Sequence, residues 1–322
     1  MLKERDTIST IGLDLGRRHI NMVKLSSGPD GWKLLDFGSV ALNARESKDE
    51  KASRLQEIVQ EKGIAALPVN IGVCGESVIV RYLDLPRMKR EEVAQALKFE
   101  AQQYIPFKME EIIFDYHILE PLDSDRQRMK VLLVAAKKQI VMEFVELIRR
   151  VGLKTNFIDV NSFSLINCFQ SNGPDVNEND IYALVNLEFD MVNINILQGT
   201  APFFTRDISL LEESRSLGQE QGSQDQFLEA MRPLLINLIR ELRLSIDYFE
   251  SEFEKQVAII YFSGDGARFP ELIDFFTSQL GREIKLWNPV QKLITEPAQI
   301  DTDALRQIEC TLALACGLAL RR

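Results

Sequence analysis

Ile11-Gly-Leu-Asp14-Leu-Gly16 and Ala183-Leu-Val-Asn186-Leu-Glu188 align without a gap, and the alignment runs on until Asn21 meets Asn193 and Leu25 meets Leu197. Apolar positions agree at Ile11 and Ala183, Leu13 and Val185, Leu15 and Leu187, Ile20 and Val192, Met22 and Ile194, and Asp14 falls on Asn186. Each stretch alternates as a strand, a short turn and a second strand do. The turn of the first is Gly16, Arg17 and Arg18. A repeat of about 170 residues, each copy opening on a hairpin, predicts two related lobes. A cleft between lobes is a natural ligand site.

Outward from these hairpins the pattern fills in. Trp32 to Val40 predicts a third strand, Lys51 to Gln60 a helix, and Val69 to Cys74 and Val78 to Leu83 further strands. After Leu85-Pro86 the pattern changes. Glu91 to Tyr104 reads as a helix ended by Pro106, with Val93, Leu97, Ala101 and Tyr104 on one face. Two strands, Ile112 to Leu119 and Met129 to Ala136, precede a helix from Gln139 to Val151 with Gly152 as its stop. These elements form a small α+β insert. A strand and helix follow Thr155, and the second hairpin is succeeded by a strand at Pro202 to Ile208. Glu212 to Asp225 is polar and aperiodic, so a loop is expected there. Gln226 to Phe249 reads as a long helix, with Leu228, Met231, Leu235, Leu238, Leu242 and Ile246 on its apolar face. Val257 to Phe262 is a strand entering Ser263-Gly264-Asp265-Gly266, Pro270 to Leu280 a helix, and Asp303 to Leu320 a single closing helix.

Composition narrows the function classes. A chain of 322 residues exceeds what one core usually organises, which again favours subdomains. A net charge of -10 argues against a nucleic-acid binder, which normally presents a basic face. Cys74, Cys168, Cys310 and Cys316 show no metal-ligand spacing except in the last pair, which lies in an apolar helical stretch and reads as buried thiols. With only His19 and His117, a histidine-rich metal site or Ser-His-Asp triad has little to draw on. The N-terminal stretch lacks the apolar region of a signal peptide, and Leu312 to Leu320 is too short to span a bilayer. A cytoplasmic protein is expected.

A strand–turn–strand with a small acidic residue at its tip handles phosphate. Glycine lets backbone N–H groups approach the oxygens, and the carboxylate holds a hydrated Mg²⁺. Two such hairpins facing each other clamp a nucleotide's phosphates, while a Ser-Gly-x-Gly loop between strand and helix passes close to a base or ribose. Each signal alone is weak, because a glycine turn between strands is usually only a turn; the repeat and the third loop strengthen them together.

The triple of hairpin, hairpin and SG-x-G loop resembles the actin, Hsp70 and sugar-kinase superfamily. Within it the chain is most similar to the PilM family of type IV pilus assembly. The residues that carry this include Val78-Ile-Val-Arg81, Leu85-Pro86, Glu91-Glu, Phe99-Glu100-Ala, Tyr104-Ile-Pro-Phe107, Glu111 and Asp115-Tyr116. They continue in Leu133-Val-Ala-Ala-Lys-Lys138, Ile158-Asp-Val, Phe204-Thr-Arg-Asp207, Glu241 with Ser245-Ile-Asp-Tyr-Phe249, Asn288-Pro and Gly317-Leu-Ala-Leu-Arg321. The resemblance covers nearly the whole chain, and the Glu100 to Phe107 segment is not a feature of actin-like ATPases at large. It implies an α/β, actin-like (ribonuclease H-like) two-lobe fold with a small α+β insert. The lobes are expected at 1–82 plus 303–322 and at 155–302, the latter with a helical subdomain near 209–256, and the insert at 83–154.

The resemblance also implies a nucleotide site, ATP with Mg²⁺. Asp14, Gly16, Arg17, Arg18, Asn21, Asn186, Glu188, Asn193, Glu241, Ser245, Gly264 and Gly266 are its candidates, with Asp14 toward the metal. Departures from the family pattern gather there. Arg17, Arg18 and His19 replace small residues, and Asn21 stands where lysine is expected. Asn186-Leu187-Glu188 replaces a D-I-G, Leu244 occupies an arginine position, and Asp265 interrupts a glycine run. A glutamate where phosphate oxygens would sit opposes them by like charge. Two arrangements follow. Either Arg17 or Arg18 pairs with Glu188 across a degenerate cleft, or both arginines face solvent and Glu188 flanks a usable pocket. Weak or absent ATP hydrolysis is expected in either case, and no residue is expected to be catalytic.

The resemblance further implies that the cytoplasmic peptide of a PilN-like inner-membrane protein docks in a groove beside the insert, leaving the chain peripheral to that membrane. Arg81, Glu100, Tyr104, Ile105, Pro106 and Phe107 are the candidate lining, although Tyr104 and Phe107 read equally as insert core. Contacts to a pilus motor ATPase and self-association are implied as well. A type II secretion platform component, a small-molecule kinase and an FtsA-like filament protein are the alternatives. Asn186 and Glu188 count against the kinase, and no amphipathic C-terminal tether is expected to favour the filament.

Overall fold

The computed structural model describes residues 9–43, 46–119, 127–188, 190–211 and 224–321. The loop expected at Glu212 to Asp225 lies almost wholly outside them. In chain order the first elements are β1 (Ser9–Leu15), β2 (His19–Gly28), β3 (Gly31–Ala41), α1 (Lys48–Glu61), β4 (Pro68–Val73) and β5 (Val78–Pro86). Then come α2 (Arg90–Tyr104), β6 (Ile112–Leu119), β7 (Arg128–Lys137), α3 (Lys138–Arg150), β8 (Lys154–Val160) and α4 (Asn161–Asn172). The second half holds β9 (Ile181–Leu187), β10 (Met191–Gln198), β11 (Ala201–Ser209), α5 (Gln224–Phe253), β12 (Ile259–Ser263), α6 (Pro270–Leu280) and β13 (Glu283–Leu286). It closes on α7 (Thr302–Ile308) and α8 (Ala313–Ala319).

Two compact units divide the chain: Met1–Gly72 with Leu147–Arg322, and Val73–Glu146. The larger contains two five-stranded sheets, ordered β3-β2-β1-β4-β8 and β11-β10-β9-β12-β13. The second is the first repeated: an antiparallel three-strand meander, then parallel pairing of its first strand with the next, β1 with β4 and β9 with β12. The register carries the sequence repeat into space, since Asp14 lies opposite Asn21 across the first hairpin and Asn186 opposite Asn193 across the second. The central strands β1 and β9 are buried on both faces, which is why they read as near-continuous apolar runs broken only at these polar positions.

Between the sheets lies a shared core built from α4, α8 and the facing residues of both. Val23, Leu25, Leu165, Phe169, Tyr182, Tyr261, Trp287 and Ala315 all belong to it. Phe169 is its hub, with ring centroids 5.2 Å from Tyr182, 4.9 Å from Tyr261 and 5.1 Å from Trp287. Such pairs each add about 1 kcal/mol beyond the area they bury. The small residues of α8 serve close packing. A Cβ on Gly317 would sit 1.8 Å from the carbonyl oxygen of Ser164, and one on Gly12 2.0 Å from that of Ala315. A second core fills the outer face of the second sheet, where Met231, Leu235, Leu238, Leu242 and Ile246 of α5 meet Val185, Val192 and Ile194.

One expectation is corrected here. The closing segment is not one helix, because a 3-10 turn at Glu309–Leu312 separates α7 from α8. The Thr311 hydroxyl donates to the Ile308 carbonyl, 2.7 Å, which favours the break and turns other carbonyls outward. The short strand β13, only four residues long, has too little sequence to show a period.

The smaller unit is a three-stranded antiparallel sheet, β5-β7-β6, with α2 against it. It begins at Val73, so β5 belongs to it, whereas the sequence placed the insert's start at 83. Its core joins Leu83, Leu85, Val93, Leu97, Ile112, Val131 and Leu133. Among the described residues no helix is long and apolar enough to cross a membrane.

Candidate functional site at the paired hairpin turns

Three short segments meet in the larger unit: the turn between β1 and β2, the turn between β9 and β10, and the loop leaving β12. Asp14 is buried near the end of β1, and its carboxylate accepts from the Asn21 side-chain amide at 3.4 Å. That amide also donates to the Thr311 carbonyl at 3.3 Å, one of the oxygens released by the helix break. The Ser39 hydroxyl donates to the Asn21 side-chain oxygen at 2.7 Å. Burial, with Asp265 and Asp190 nearby, raises Asp14 to about 6 against the lowering effect of Asn21 and Lys51. Lys51, from α1, donates to the carbonyls of Leu15 and Gly16 at 2.9 Å each, tying down the base of the first turn.

The second hairpin is held in the same way by different partners. The Ser263 hydroxyl donates to the Asn186 side-chain oxygen at 3.0 Å, and the Asn186 amide donates to Glu188 Oε1 at 3.2 Å. Asn193 donates to Asp207, which also accepts from the Ser162 hydroxyl at 3.3 Å. The Glu188 N–H closes the turn onto the Met191 carbonyl at 3.2 Å.

The third loop packs on the second turn without a gap. Gly264 adopts φ +90°, and an added Cβ there would lie 2.8 Å from the Leu187 carbonyl oxygen and 3.0 Å from Glu188 Oε1. A Cβ on Gly266 would be 2.2 Å from the Leu187 side chain. The Gly264 N–H donates to the Cys310 carbonyl at 2.8 Å, the second contact supplied by the helix break.

Charge gathers where these segments meet. His19 Nδ1 stands 2.9 Å from Asp265 Oδ2. His19, Glu188 and Asp265 each offer a ligand-type atom, all within 4.8 Å of one another. Burial alone would lower His19, but the Asp265 carboxylate more than reverses this and raises it. Burial pushes Asp265 up, yet the approach of His19 and Glu188 brings it below the ordinary range. Glu188 is driven well above its usual range by burial and by Asp265 and Asp14 beside it.

The cross-cleft salt bridge expected between an arginine and Glu188 is corrected in its partner. Arg17 Nε lies 3.5 Å from Asp190 Oδ2, so the ion pair does join the two turns, but through Asp190. Burial raises Asp190, and Arg17 and Arg18 act against it. Arg18 is half-buried in the first turn. Glu241 and Ser245, candidates for the nucleotide site, are joined by Arg206, which donates to Glu241 Oε2 at 2.8 Å and to the Ser245 hydroxyl at 2.9 Å.

In the smaller unit, Tyr104 is 42% exposed, while Arg81 and Pro106 are also exposed. Phe107 is half-buried, with the Lys137 ammonium 4.3 Å from its ring centroid. Ile105 is a correction: only 4% exposed, it is part of the unit's core beside Val93 and Leu97 and offers no surface to a partner. The side chain of Glu100 lies outside the described residues. Sequence reasoning reached His19, Asp265 and Arg206 without assigning them to the site and overlooked Asp190 and Lys51. The signal present was a charged residue in each of three loops where small ones were expected.

A family model described as "Type IV pilus assembly protein PilM" matches residues 12–212 and 212–322. The chain belongs to the PilM family. Its likeness to solved structures agrees. The "PilM-PilN type IV pilus biogenesis complex" matches with TM-score 0.85 and 22% identity, covering 98% of each chain. The ethanolamine utilization protein EutJ from Carboxydothermus hydrogenoformans matches with TM-score 0.54 and 10% identity, covering 97% of this chain and 89% of that one. Identities this low speak for fold alone. The fold of this PilM-family chain is the actin-like two-lobe α/β arrangement, and its role lies in type IV pilus assembly.

Proposed function

We propose that this PilM-family protein acts as a scaffold that binds partner proteins, with its inter-lobe cleft closed to nucleotide by an internal charge network. The carrying observation is the packing of Glu188 against Gly264. The close approach that glycine allows is taken up by Leu187 and Glu188, at 2.8 Å and 3.0 Å from the position of a Cβ, rather than left for phosphate or ribose. A polyphosphate placed there would face the ionised Asp265 with Asp14 and Asp190 beside it. At 4 Å, one such like-charge contact costs about 4 kcal/mol in a partly screened site, close to a thousandfold in affinity. The remaining candidates are engaged internally: Asn193 by Asp207, Glu241 and Ser245 by Arg206. On this reading Mg²⁺-ATP does not fit, Asp14 has no phosphate-bound metal to hold, and the protein is not an ATPase.

The scaffold role falls to the smaller unit. The related structure in complex is one of PilM with PilN, and we assign this chain a PilN-like partner whose extended cytoplasmic peptide docks through alternate apolar side chains and backbone hydrogen bonds. Arg81, Tyr104, Pro106 and Phe107 are the residues assigned to it, and such docking would hold the protein at the inner membrane. Calorimetric titration tests both halves. The expected result is no heat with Mg²⁺-ATP, binding of a PilN-like N-terminal peptide, and at least a tenfold loss of that binding in Tyr104→Ala or Phe107→Ala. Micromolar ATP binding, about -8 kcal/mol, would overturn the closed cleft, and unaltered peptide binding in both variants would overturn the assigned surface.

A further inference from the structure

The charge network contains an arrangement that an internal hydrogen-bond scheme does not complete. Asp265 is 2% exposed, yet neither of its carboxylate oxygens makes a well-formed hydrogen bond, and His19 Nδ1, though close enough for an ion pair, makes none either. The 2.9 Å approach of His19 Nδ1 to Asp265 Oδ2 therefore lacks the alignment of a donor and acceptor. It does have the spacing of two ligands of one ion, since atoms bonded at about 2.1 Å in adjacent octahedral positions lie about 3.0 Å apart. Glu188 brings a third oxygen within 4.8 Å of both. The surroundings are acidic, with Asp14 and Asp190 adjoining. Arg17 is paired with Asp190, Lys51 donates to backbone carbonyls, Arg18 also acts on Asp190, and Arg268 acts on Asp265.

The geometry points to a divalent transition-metal site formed by His19, Glu188 and Asp265, one ligand from each of the three loops that meet at the paired turns. The ion binds directly to the protein, without nucleotide. One imidazole nitrogen with two carboxylate oxygens suits Mn²⁺, Fe²⁺ or Zn²⁺, whereas Mg²⁺ and Ca²⁺ prefer all-oxygen shells. An ion here joins both lobes and performs the cross-linking that nucleotide phosphates perform when two such hairpins clamp them. The inference goes beyond the scaffold reading and is separable from it: if Mg²⁺-ATP binds but Mn²⁺ also binds the nucleotide-free protein, the closed cleft fails and the metal site stands.

The test uses the full chain, stripped with chelator and free of nucleotide, titrated with Mn²⁺ and followed by the loss of the free-ion paramagnetic resonance signal. One Mn²⁺ per chain is expected, and a hundredfold excess of Mg²⁺ should fail to displace it. His19→Ala and Glu188→Gln should each weaken binding at least tenfold. Should His19→Ala not fold, Glu188→Gln, which keeps the side-chain shape and removes the charge, decides alone. Absence of stoichiometric Mn²⁺ binding, or binding that Glu188→Gln leaves intact, would overturn the site.

Discussion

Replacing Asp14 by asparagine should make the metal-free protein more stable, although it removes a buried, hydrogen-bonded side chain from the centre of the cleft. Burial raises this carboxyl from 3.8 to about 6. A carboxyl whose folded value exceeds its unfolded value binds a proton more tightly when folded. Its ionised form therefore destabilises the fold above about pH 6, and the penalty is relieved as pH falls toward 4. The penalty is about 3 kcal/mol at pH 7.5 and roughly 1.5 kcal/mol at pH 5, because a tenfold change in proton affinity is worth about 1.4 kcal/mol and titration at pH 5 is partial. Asparagine is neutral at every pH and keeps an oxygen to accept from the Asn21 amide, now 3.4 Å from the Asp14 carboxylate. With an unfolding entropy near 2.1 cal/mol/K per residue, about 0.7 kcal/mol/K for a chain this long, 3 kcal/mol raises the melting temperature by about 4 °C. Scanning calorimetry of both proteins in chelator at pH 7.5 and pH 5 reads this directly. A loss of stability in Asp14→Asn, or a gain no smaller at pH 5 than at pH 7.5, would refute the assignment of the penalty to a buried ionised Asp14.

Other expectations follow from the packing. Gly317→Ala should destabilise the protein by about 3 kcal/mol or more, measured as the urea midpoint, because the added carbon would meet the rigid Ser164 carbonyl at 1.8 Å. Arg206→Ala should cost only about 1 kcal/mol by the same measure, since the arginine that links Glu241 and Ser245 has 41% of its side chain exposed and its ion pair is partly screened. In a thiol-reagent assay on native protein at pH 8, Cys168 and Cys316 should stay silent, both being buried. Cys310, raised by burial to about 11, should react far more slowly than an ordinary thiol and speed up as pH rises.

Much of the fold was legible because it is written twice. The match of Asp14 to Asn186 and Asn21 to Asn193 is a statement about sequence that the strand register turns into a statement about space. Long periodic elements such as α5 and α6 could be read within a few residues of their ends. What escaped was short or set by tertiary context. β13 has no room for a period, and the break at Glu309–Leu312 follows from a hydroxyl bond to Ile308 within a run that otherwise looks helical. The start of the smaller unit was missed because β5 alternates in the same manner as the strands before it, and only its pairing with β7 assigns it to that sheet. In the site, types of residue were legible and partners were not. Arg17 and Arg18 were expected to find an acid across the cleft, but which one depends on how the three-residue turns face each other, and that is a matter of backbone placement.

The charged residues of the three loops answer one another, and their geometry shows why single changes would not suffice. Glu188 alone, at a turn packed on Gly264, would bury a carboxylic acid with nothing but Asn186 to bond it. Asp265 alone would bury a carboxylate that is 2% exposed and has no well-formed hydrogen bond. His19 supplies the charge that Asp265 needs, and Arg17 supplies the one that Asp190 needs, so the basic first turn answers the acidic second and third. Removing one member of a buried charged group costs about 3–5 kcal/mol because it strands its partner. The site therefore behaves as a unit: His19→Ala and Asp265→Asn together should cost less than the sum of the two single changes. A double-mutant cycle in chelator measures this, and strict additivity would mean that the loops meet without being coupled.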